Sequence, residues 1–208
     1  MKILLVHGLA RTSLSLLGLE WRLQQVGCTT EQFGYFALAE TYDRIVERLR
    51  LRLQALSQQG PYGVVAHSLG GLLTRSALGL ADIVAPSHIV MLAPPNQPPR
   101  LAAHAWKLLP FQWFTGQCGA NLANSAFFTA LPGLQCAYTI VAGTGGPRGW
   151  LSPFGEELND GIVALSETRL SPSDRIVQLP VWHTFMMNDD RVQTTVVQAF
   201  ESNELGLN

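Results

Sequence analysis

The strongest candidate for a reactive residue is Ser68, in the segment VVAHSLGG that spans residues 64–71. The apolar residues before it predict a buried strand and those after it predict a helix, so Ser68 would lie at a tight strand-to-helix turn. Ala66 and the two glycines suit such a turn, because larger side chains would meet neighbouring backbone. The amide of Leu69 would be unpaired at the helix start and could donate to an oxyanion. An ordinary N-cap serine is the alternative, but a cap does not need small residues on both sides.

Four segments of the chain resemble, in order, the α/β-hydrolase superfamily, and in particular its small bacterial lipases and esterases. AHSLGG is similar to the nucleophile elbow of that family, with Ala in place of the first Gly of GxSxG. ILLVHGLART resembles the oxyanion turn after the first strand, and NDGIV and VWHTFM resemble the segments that carry the acid and the base. The matches span residues 3–187. The resemblance implies an α/β-hydrolase fold and acyl transfer to water, with no metal and no other cofactor.

A serine is a poor nucleophile at neutral pH and needs a base, which in turn needs an orienting carboxylate. In the fold that the resemblance implies, the acid and then the base follow the serine along the chain. Among the 5 histidines, His183 is the best candidate because it follows the last predicted strand, at the same sheet edge as Ser68. A structural loop histidine is its alternative interpretation. The other histidines are expected at a strand start, on a solvated helix face, or in the turns beside the serine: His88, His104, His7 and His67.

The predicted acid is Asp160, in the loop ELNDGIV, which is free to turn toward His183. Asp82 ends the helix after the serine and is carried away from this edge. Asp174 begins the final strand, and at about 3.3 Å per residue it would lie about 20 Å from the carboxyl edge. An aspartate in a β-turn is the alternative interpretation of Asp160 and Gly161. The glutamates between serine and base are weaker candidates: Glu156, Glu157 and Glu167.

The second oxyanion donor implied by the resemblance is the amide of Leu9, beside that of Leu69. Gly8 would let the backbone approach the reacting centre. The alternative is that His7 and Gly8 only form a tight exit turn from the first strand.

The elements that must position these residues alternate between strands and helices. This order predicts a mostly parallel, doubly wound sheet with helices on both faces, in an α/β fold. We expect one compact domain over residues 1–208. The predicted strands cover residues 2–7, 29–33, 62–66, 88–93, 136–142 and 175–179, and the predicted helices cover residues 13–26, 40–58, 69–80 and 191–202.

One segment, residues 94–132, interrupts this alternation and is rich in Pro, Gly, Trp and Phe. We expect a cap or lid excursion with one short helix near residues 101–109, since long excursions in compact domains often carry function. A helix pair that only covers the sheet is the alternative. The candidates for an acyl-binding pocket here are Trp106, Phe111, Trp113 and Phe114, which could equally belong to the core.

The charge composition of the chain excludes some classes of binding partner. The 14 Lys and Arg against 15 Asp and Glu form no basic cluster, which argues against nucleic acid or an anionic membrane surface as partners. No apolar run approaches the length of a membrane span, and MKILLVHG is interpreted as a first strand, so we expect no membrane insertion and a cytoplasmic location. The 3 cysteines are an odd number without metal-binding spacing and are expected to be free thiols. The oligomeric state is left open.

The sequence therefore predicts a carboxylesterase-like serine hydrolase that acts on a small-molecule acyl ester through Ser68, His183 and Asp160. A thioesterase or an amidase would use the same residues. A binding protein that has kept the hydrolase fold without catalysis is the rival class, and acyl transfer to an acceptor other than water is a third alternative.

Overall fold

The structure, a computed structural model, describes residues 1–80, 83–150 and 152–204, without the side chains of Phe111, Asn203 and Glu204. Its centre is a six-stranded sheet in which every strand pairs in parallel with its neighbours. The strands are β1 (Lys2–Val6), β2 (Thr29–Phe33), β3 (Tyr62–His67), β4 (His88–Leu92), β5 (Tyr138–Gly143) and β6 (Ile176–Leu179). Their order across the sheet is β2-β1-β3-β4-β5-β6.

Helices lie on both faces of this sheet. They are α1 (Leu17–Gln25), α2 (Tyr42–Ser57), α3 (Leu69–Gly79), α4 (Arg100–Ala105), α5 (Leu109–Leu122), α6 (Ser125–Ala130) and α7 (Asp190–Glu204). Successive residues of a strand point to opposite faces, so Val64 packs with α2 and α3 while Val65 packs with α1 and α7. The central strands β1, β3 and β4 are buried almost throughout, which explains their nearly continuous apolar sequences.

The strand order places a crevice at the carboxyl edge of the sheet. The chain leaves β1 toward β2 on one side, whereas β3 lies on the other side of β1, so the order reverses between β1 and β3. In open α/β sheets ligands bind beyond the carboxyl ends of the strands at such a point. The loop after β1 and the turn after β3 both end here, and they carry Leu9 and Ser68.

The predicted mostly parallel sheet with helices on both faces is confirmed, with element bounds shifted by a few residues. The segment 94–132 differs from the expectation, because it contains the three helices α4, α5 and α6 rather than one short helix. Pro110 lies at the start of α5, where no backbone donor is needed, and Gly116 adopts φ 50° at a kink inside it. Pro110 and Gly116, which predict a loop from the sequence, therefore lie at the start of α5 and at its kink.

Candidate active site

Ser68 lies on a strained turn between β3 and α3. Its φ of 52° and ψ of −121° are uncommon for a residue with a side chain. A Cβ on Gly70 would lie 2.6 Å from the carbonyl oxygen of Val6, so only glycine lets the turn pack against β1. The side chain of Ser68 makes no capping hydrogen bond to α3, so the N-cap interpretation is wrong. The backbone instead holds the hydroxyl away from the helix.

The Ser68 hydroxyl contacts His183, and His183 in turn contacts Asp160. Ser68 Oγ lies 3.0 Å from His183 Nε2, and His183 Nδ1 lies 2.7 Å from Asp160 Oδ2. His183 and Asp160 are both buried. The carboxylate accepts the proton on Nδ1, which leaves Nε2 free to accept the serine proton. The structure thus brings together the three residues that the sequence predicts as nucleophile, base and acid.

Asp160 is held by the loop that carries it. Its Oδ1 accepts hydrogen bonds from the amides of Ile162 at 2.9 Å and Val163 at 2.7 Å. Its own carbonyl accepts from the amide of His183 at 2.9 Å. The turn interpretation of Asp160 and Gly161 is therefore correct for one carboxylate oxygen, while the other contacts His183. The backbone bonds fix which oxygen faces the imidazole.

The competing candidates lie elsewhere. Asp174 accepts from the Tyr138 hydroxyl at 2.7 Å and from two backbone amides, so its carboxylate stabilises the turn before β6. His88 Nε2 contacts Thr139 Oγ1 at 2.9 Å at the start of β4, and His104 is exposed on α4. Glu157 and Glu167 pair with Arg100, whereas Glu156 is exposed. Asp82 lies outside the described residues.

The predicted oxyanion donors flank Ser68, and His7 fixes the orientation of one of them. His7 Nε2 accepts from the amide of Tyr35 at 3.3 Å, so the ring proton is on Nδ1, which donates to the carbonyl of Gly8 at 2.9 Å. That carbonyl and the N–H of Leu9 belong to one trans peptide plane and point in opposite directions. Within the described part of the chain, neither Leu9 nor Leu69 uses its amide in a hydrogen bond. Both amides are therefore available to a substrate oxygen.

His67 contacts the candidate base, His183, through a hydrogen bond to its backbone. Its Nε2 donates to the carbonyl of His183 at 3.2 Å, and the two rings lie 4.9 Å apart. Burial, followed by the positive charge that His183 can carry, holds the pKa of His67 well below its usual value. His67 is therefore neutral, and its Nδ1 is buried without a hydrogen-bond partner among the described residues. A neutral ring here adds no competing charge beside His183.

A cavity of about 720 Å³ opens at Ser68 and His183. This volume is in the range of small-molecule sites. Most of its wall is apolar and comes from α4, α5 and the loop after Asp160, and Arg11 is the one Asp, Glu, Lys or Arg side chain among its described lining residues. The apolar lining residues are Leu9, Ala10, Pro95, Pro99, Leu101, Ala102, Ala105, Pro110, Phe114, Leu122, Ile162 and Val163.

The structure brings only part of the predicted aromatic set to this cavity. Phe114 lines it, although 67% of Phe114 is exposed. Trp106 and Trp113 are not among the lining residues: the Trp106 ring lies against Gly119, and Trp113 is 68% exposed. The backbone of Phe111 lies in α5, but its side chain lies outside the described part. Sequence reasoning missed the small aliphatic residues of α4 and missed Arg11, because neither has a distinguishing motif.

Two arginines, the buried Arg75 and the exposed Arg100, connect the 94–132 segment to the rest of the fold. Arg75 of α3 donates to Asn96 Oδ1 and to the carbonyl of Pro132, each at 3.0 Å. Arg100, the first residue of α4, pairs with Glu157 at 2.5 Å and with Glu167 at 2.8 Å. These bonds place α4 next to the loop that carries Asp160. The cavity wall and the candidate acid are thus held by shared contacts.

Comparison with known proteins agrees with this architecture. The model of an alpha/beta hydrolase family matches residues 3–205. No curated protein sequence matches the chain. The mature lipase BlEst2 of Bacillus licheniformis superposes with a TM-score of 0.72 at 19% identity, over 96% of this chain and 91% of that one. The RedJ thioesterase of the Streptomyces coelicolor prodiginine pathway superposes with a TM-score of 0.61 at 14% identity, over 98% and 90%. At these identities the likeness shows a shared fold.

Proposed function

Because this chain belongs to the alpha/beta hydrolase family, we propose that it is a serine hydrolase that cleaves carboxylic esters with an apolar acyl group. The observation that carries the proposal is the continuous contact from Ser68 Oγ to His183 at 3.0 Å and from His183 to Asp160 at 2.7 Å, at the mouth of an apolar cavity. A nucleophile, a base and an orienting acid in this arrangement are what acyl transfer requires.

The first half of the proposed reaction forms an acyl-enzyme. The Ser68 oxygen attacks the ester carbonyl carbon while His183 Nε2 takes the hydroxyl proton. The carbonyl oxygen becomes an oxyanion that accepts from the amides of Leu9 and Leu69. Asp160 stabilises the imidazolium at Nδ1. The bond to the leaving oxygen then breaks, and His183 gives that oxygen the proton, so the alcohol departs.

The second half releases the acid. Water attacks the acyl carbon and gives a proton to His183 Nε2, and the new oxyanion uses the same two amides. The bond to Ser68 Oγ breaks, and the proton returns from His183 to the serine. The products are a carboxylic acid and an alcohol, and the protein is unchanged. The nucleophile and the base of each proposed step, Ser68 and His183, line the cavity.

The cavity supports an acyl chain as the bound group. The lining around α4 consists of Leu101, Ala102 and Ala105, which offer no hydrogen bond to a polar substrate. Burial of a methylene in such a wall is worth about 0.8 kcal/mol, so affinity should rise with chain length until the cavity is full. Segment 94–132, which carries this wall, is proposed to act as a cap over the site. Among the described residues, every helix is too short or too polar to span a lipid bilayer.

Thioesters are the alternative substrates. A thioester carbonyl accepts the same serine attack, and the fold is shared with the RedJ thioesterase. The proposal includes the cytoplasmic location expected from the sequence. Paired oxygen esters and thioesters with the same acyl group distinguish the two activities.

Steady-state hydrolysis with matched variants tests the proposal. We expect wild type to hydrolyse p-nitrophenyl esters of graded acyl length, and Ser68→Ala and His183→Ala to lose at least about 1,000-fold in kcat. His104→Ala, which removes an exposed histidine of α4, should keep wild-type activity. A wild-type protein that is folded but hydrolyses neither esters nor thioesters would favour the non-catalytic binding protein instead.

A further inference from the structure

Arg11 places a positive charge at the mouth of the cavity. It is half-buried, it lines the cavity with Ser68 and His183, and it takes part in no salt bridge within the described part of the chain. One of its five N–H groups donates to the carbonyl of Thr184, and its guanidinium lies 5.8 Å from the centre of the Phe185 ring. These contacts fix the direction of the side chain, and its other N–H groups have no hydrogen-bond partner among the described residues. A positioned guanidinium with free donors suits a carboxylate or a phosphate.

The position of Arg11 assigns it to the leaving-group side of the reaction. His183 gives its proton to the leaving atom, so the leaving group must extend past His183 Nε2. Arg11 contacts the carbonyl of Thr184, the residue directly after that base. The acyl side of the cavity is instead the apolar wall along α4, around Ala102. The two ends of a bound ester therefore meet different chemistry, apolar on one side and cationic on the other.

We propose that Arg11 selects substrates whose leaving group carries a phosphate. This inference rests on the proposed hydrolase activity and specifies its substrate class. A phosphate monoester can accept two parallel N–H bonds from a guanidinium, which a neutral alcohol cannot. Such a leaving group occurs in two kinds of acyl compound: an oxygen ester of a glycerol phosphate and a thioester of phosphopantetheine. The common chemistry is an apolar acyl chain joined to a phosphorylated leaving group.

The test compares substrates that differ only in the phosphate. The oxygen-ester pair is 1-octanoylglycerol 3-phosphate with 1-octanoylglycerol, and the thioester pair is octanoyl phosphopantetheine with octanoyl pantetheine. For at least one pair, we expect wild-type kcat/KM to be about tenfold higher for the phosphorylated member, the scale of one charge-assisted contact that is partly exposed to water. The pair that shows the preference identifies the source of the phosphate.

Three variants assign that preference to Arg11. Arg11→Gln should lower the ratio within the pair to about one, and Arg11→Lys, which keeps a charge without the fork, should give an intermediate ratio. Arg148→Gln removes an exposed arginine that does not line the cavity and should keep both the ratio and the rates. Because each ratio is taken within one protein, a general disturbance of His183 cancels. The wild-type ratio stands even if a variant fails to fold.

The outcomes separate this inference from the activity on which it rests. Turnover of both members of each pair with a wild-type ratio near one, or a ratio that Arg11→Gln leaves unchanged, would overturn the role of Arg11 and keep the hydrolase. No turnover of any member by folded wild type that still hydrolyses p-nitrophenyl esters would overturn the phosphate selection alone, and no turnover of either kind of substrate would overturn both. A tenfold ratio that is lost in Arg11→Gln and kept in Arg148→Gln supports the phosphate-bearing leaving group.

Discussion

Replacing Asp160 by Asn changes a single functional group and reverses the hydrogen-bond pattern of the base. Asp160 Oδ1 accepts from two backbone amides at 2.9 and 2.7 Å, so in Asp160→Asn the amide oxygen must stay at that position. The new NH2 group then faces His183 Nδ1 and donates to it. The ring proton moves to Nε2 and points at Ser68 Oγ, where a proton acceptor is needed. The backbone of this loop therefore forces the unproductive tautomer.

The expected loss follows from that tautomer. In a Ser-His-Asp group, the corresponding Asp-to-Asn change lowers kcat by about 10⁴-fold, equivalent to about 5.5 kcal/mol of transition-state stabilisation. The fold should be preserved, because both backbone hydrogen bonds to Oδ1 remain and the side-chain volume hardly changes. We expect KM to change far less than kcat, since Asp160 does not line the cavity.

The assay measures kcat and KM on a p-nitrophenyl ester, with urea unfolding to verify the fold. Asp174→Asn is a matched control, because one oxygen of Asp174 also accepts from two backbone amides, at 2.7 and 2.8 Å, without contact to His183. It should keep wild-type activity within a few-fold. An Asp160→Asn protein within tenfold of wild-type kcat, or an Asp174→Asn protein with the larger loss, would refute the assignment of the acid.

Two further predictions concern the cavity and the buried histidines. Ala102→Trp should fill the part of the cavity next to α4 and lower the preference for octanoate over acetate esters by about tenfold or more, since excluding two methylenes costs about 1.6 kcal/mol of binding free energy. Ala103→Trp, on the exposed side of α4, is the control. An unchanged chain-length profile in Ala102→Trp would contradict the assignment of the acyl site. Burial lowers the pKa values of three histidines below 6.5, so the unfolded chain takes up protons first as the pH falls. Stability should therefore decrease from pH 7.5 to pH 5.5, by up to about 1.4 kcal/mol per pH unit for each histidine in urea unfolding, and a flat profile would contradict their neutral state. These histidines are His7, His67 and His88.

The strands and the elbow could be predicted because their sequences are constrained locally. A strand covered on both faces must be apolar nearly throughout, as in β3 and β4, and a turn packed against β1 must have glycine at position 70. His183 could be predicted because it follows the last strand, at the sheet edge where Ser68 lies. Asp160 could be predicted from the family resemblance and because its loop is free to turn toward His183. Their geometry agrees with the prediction, and their catalytic roles stay a prediction until they are tested.

The cap segment and the cavity wall could not be predicted for a physical reason. Proline and glycine usually break helices. Pro110 does not break α5, because it occupies a position without an intrahelical N–H bond, whereas Gly116 is non-helical and divides α5 into two helical pieces at a kink. The cavity is lined by small aliphatic residues such as Ala102 and Ala105, whereas Trp113 is largely exposed. Lining depends on how α4 and α5 pack above the sheet edge, which no local pattern in the sequence determines.

The central claim is that Ser68 is an activated nucleophile, and covalent labelling tests it most directly. A fluorophosphonate probe reacts with a serine only when a base removes its proton, and peptide mass mapping locates the adduct. The account predicts a stoichiometric adduct on Ser68 in wild type, no adduct in Ser68→Ala, and a much slower reaction in His183→Ala. An adduct on another serine, or no adduct on folded wild-type protein, would contradict it.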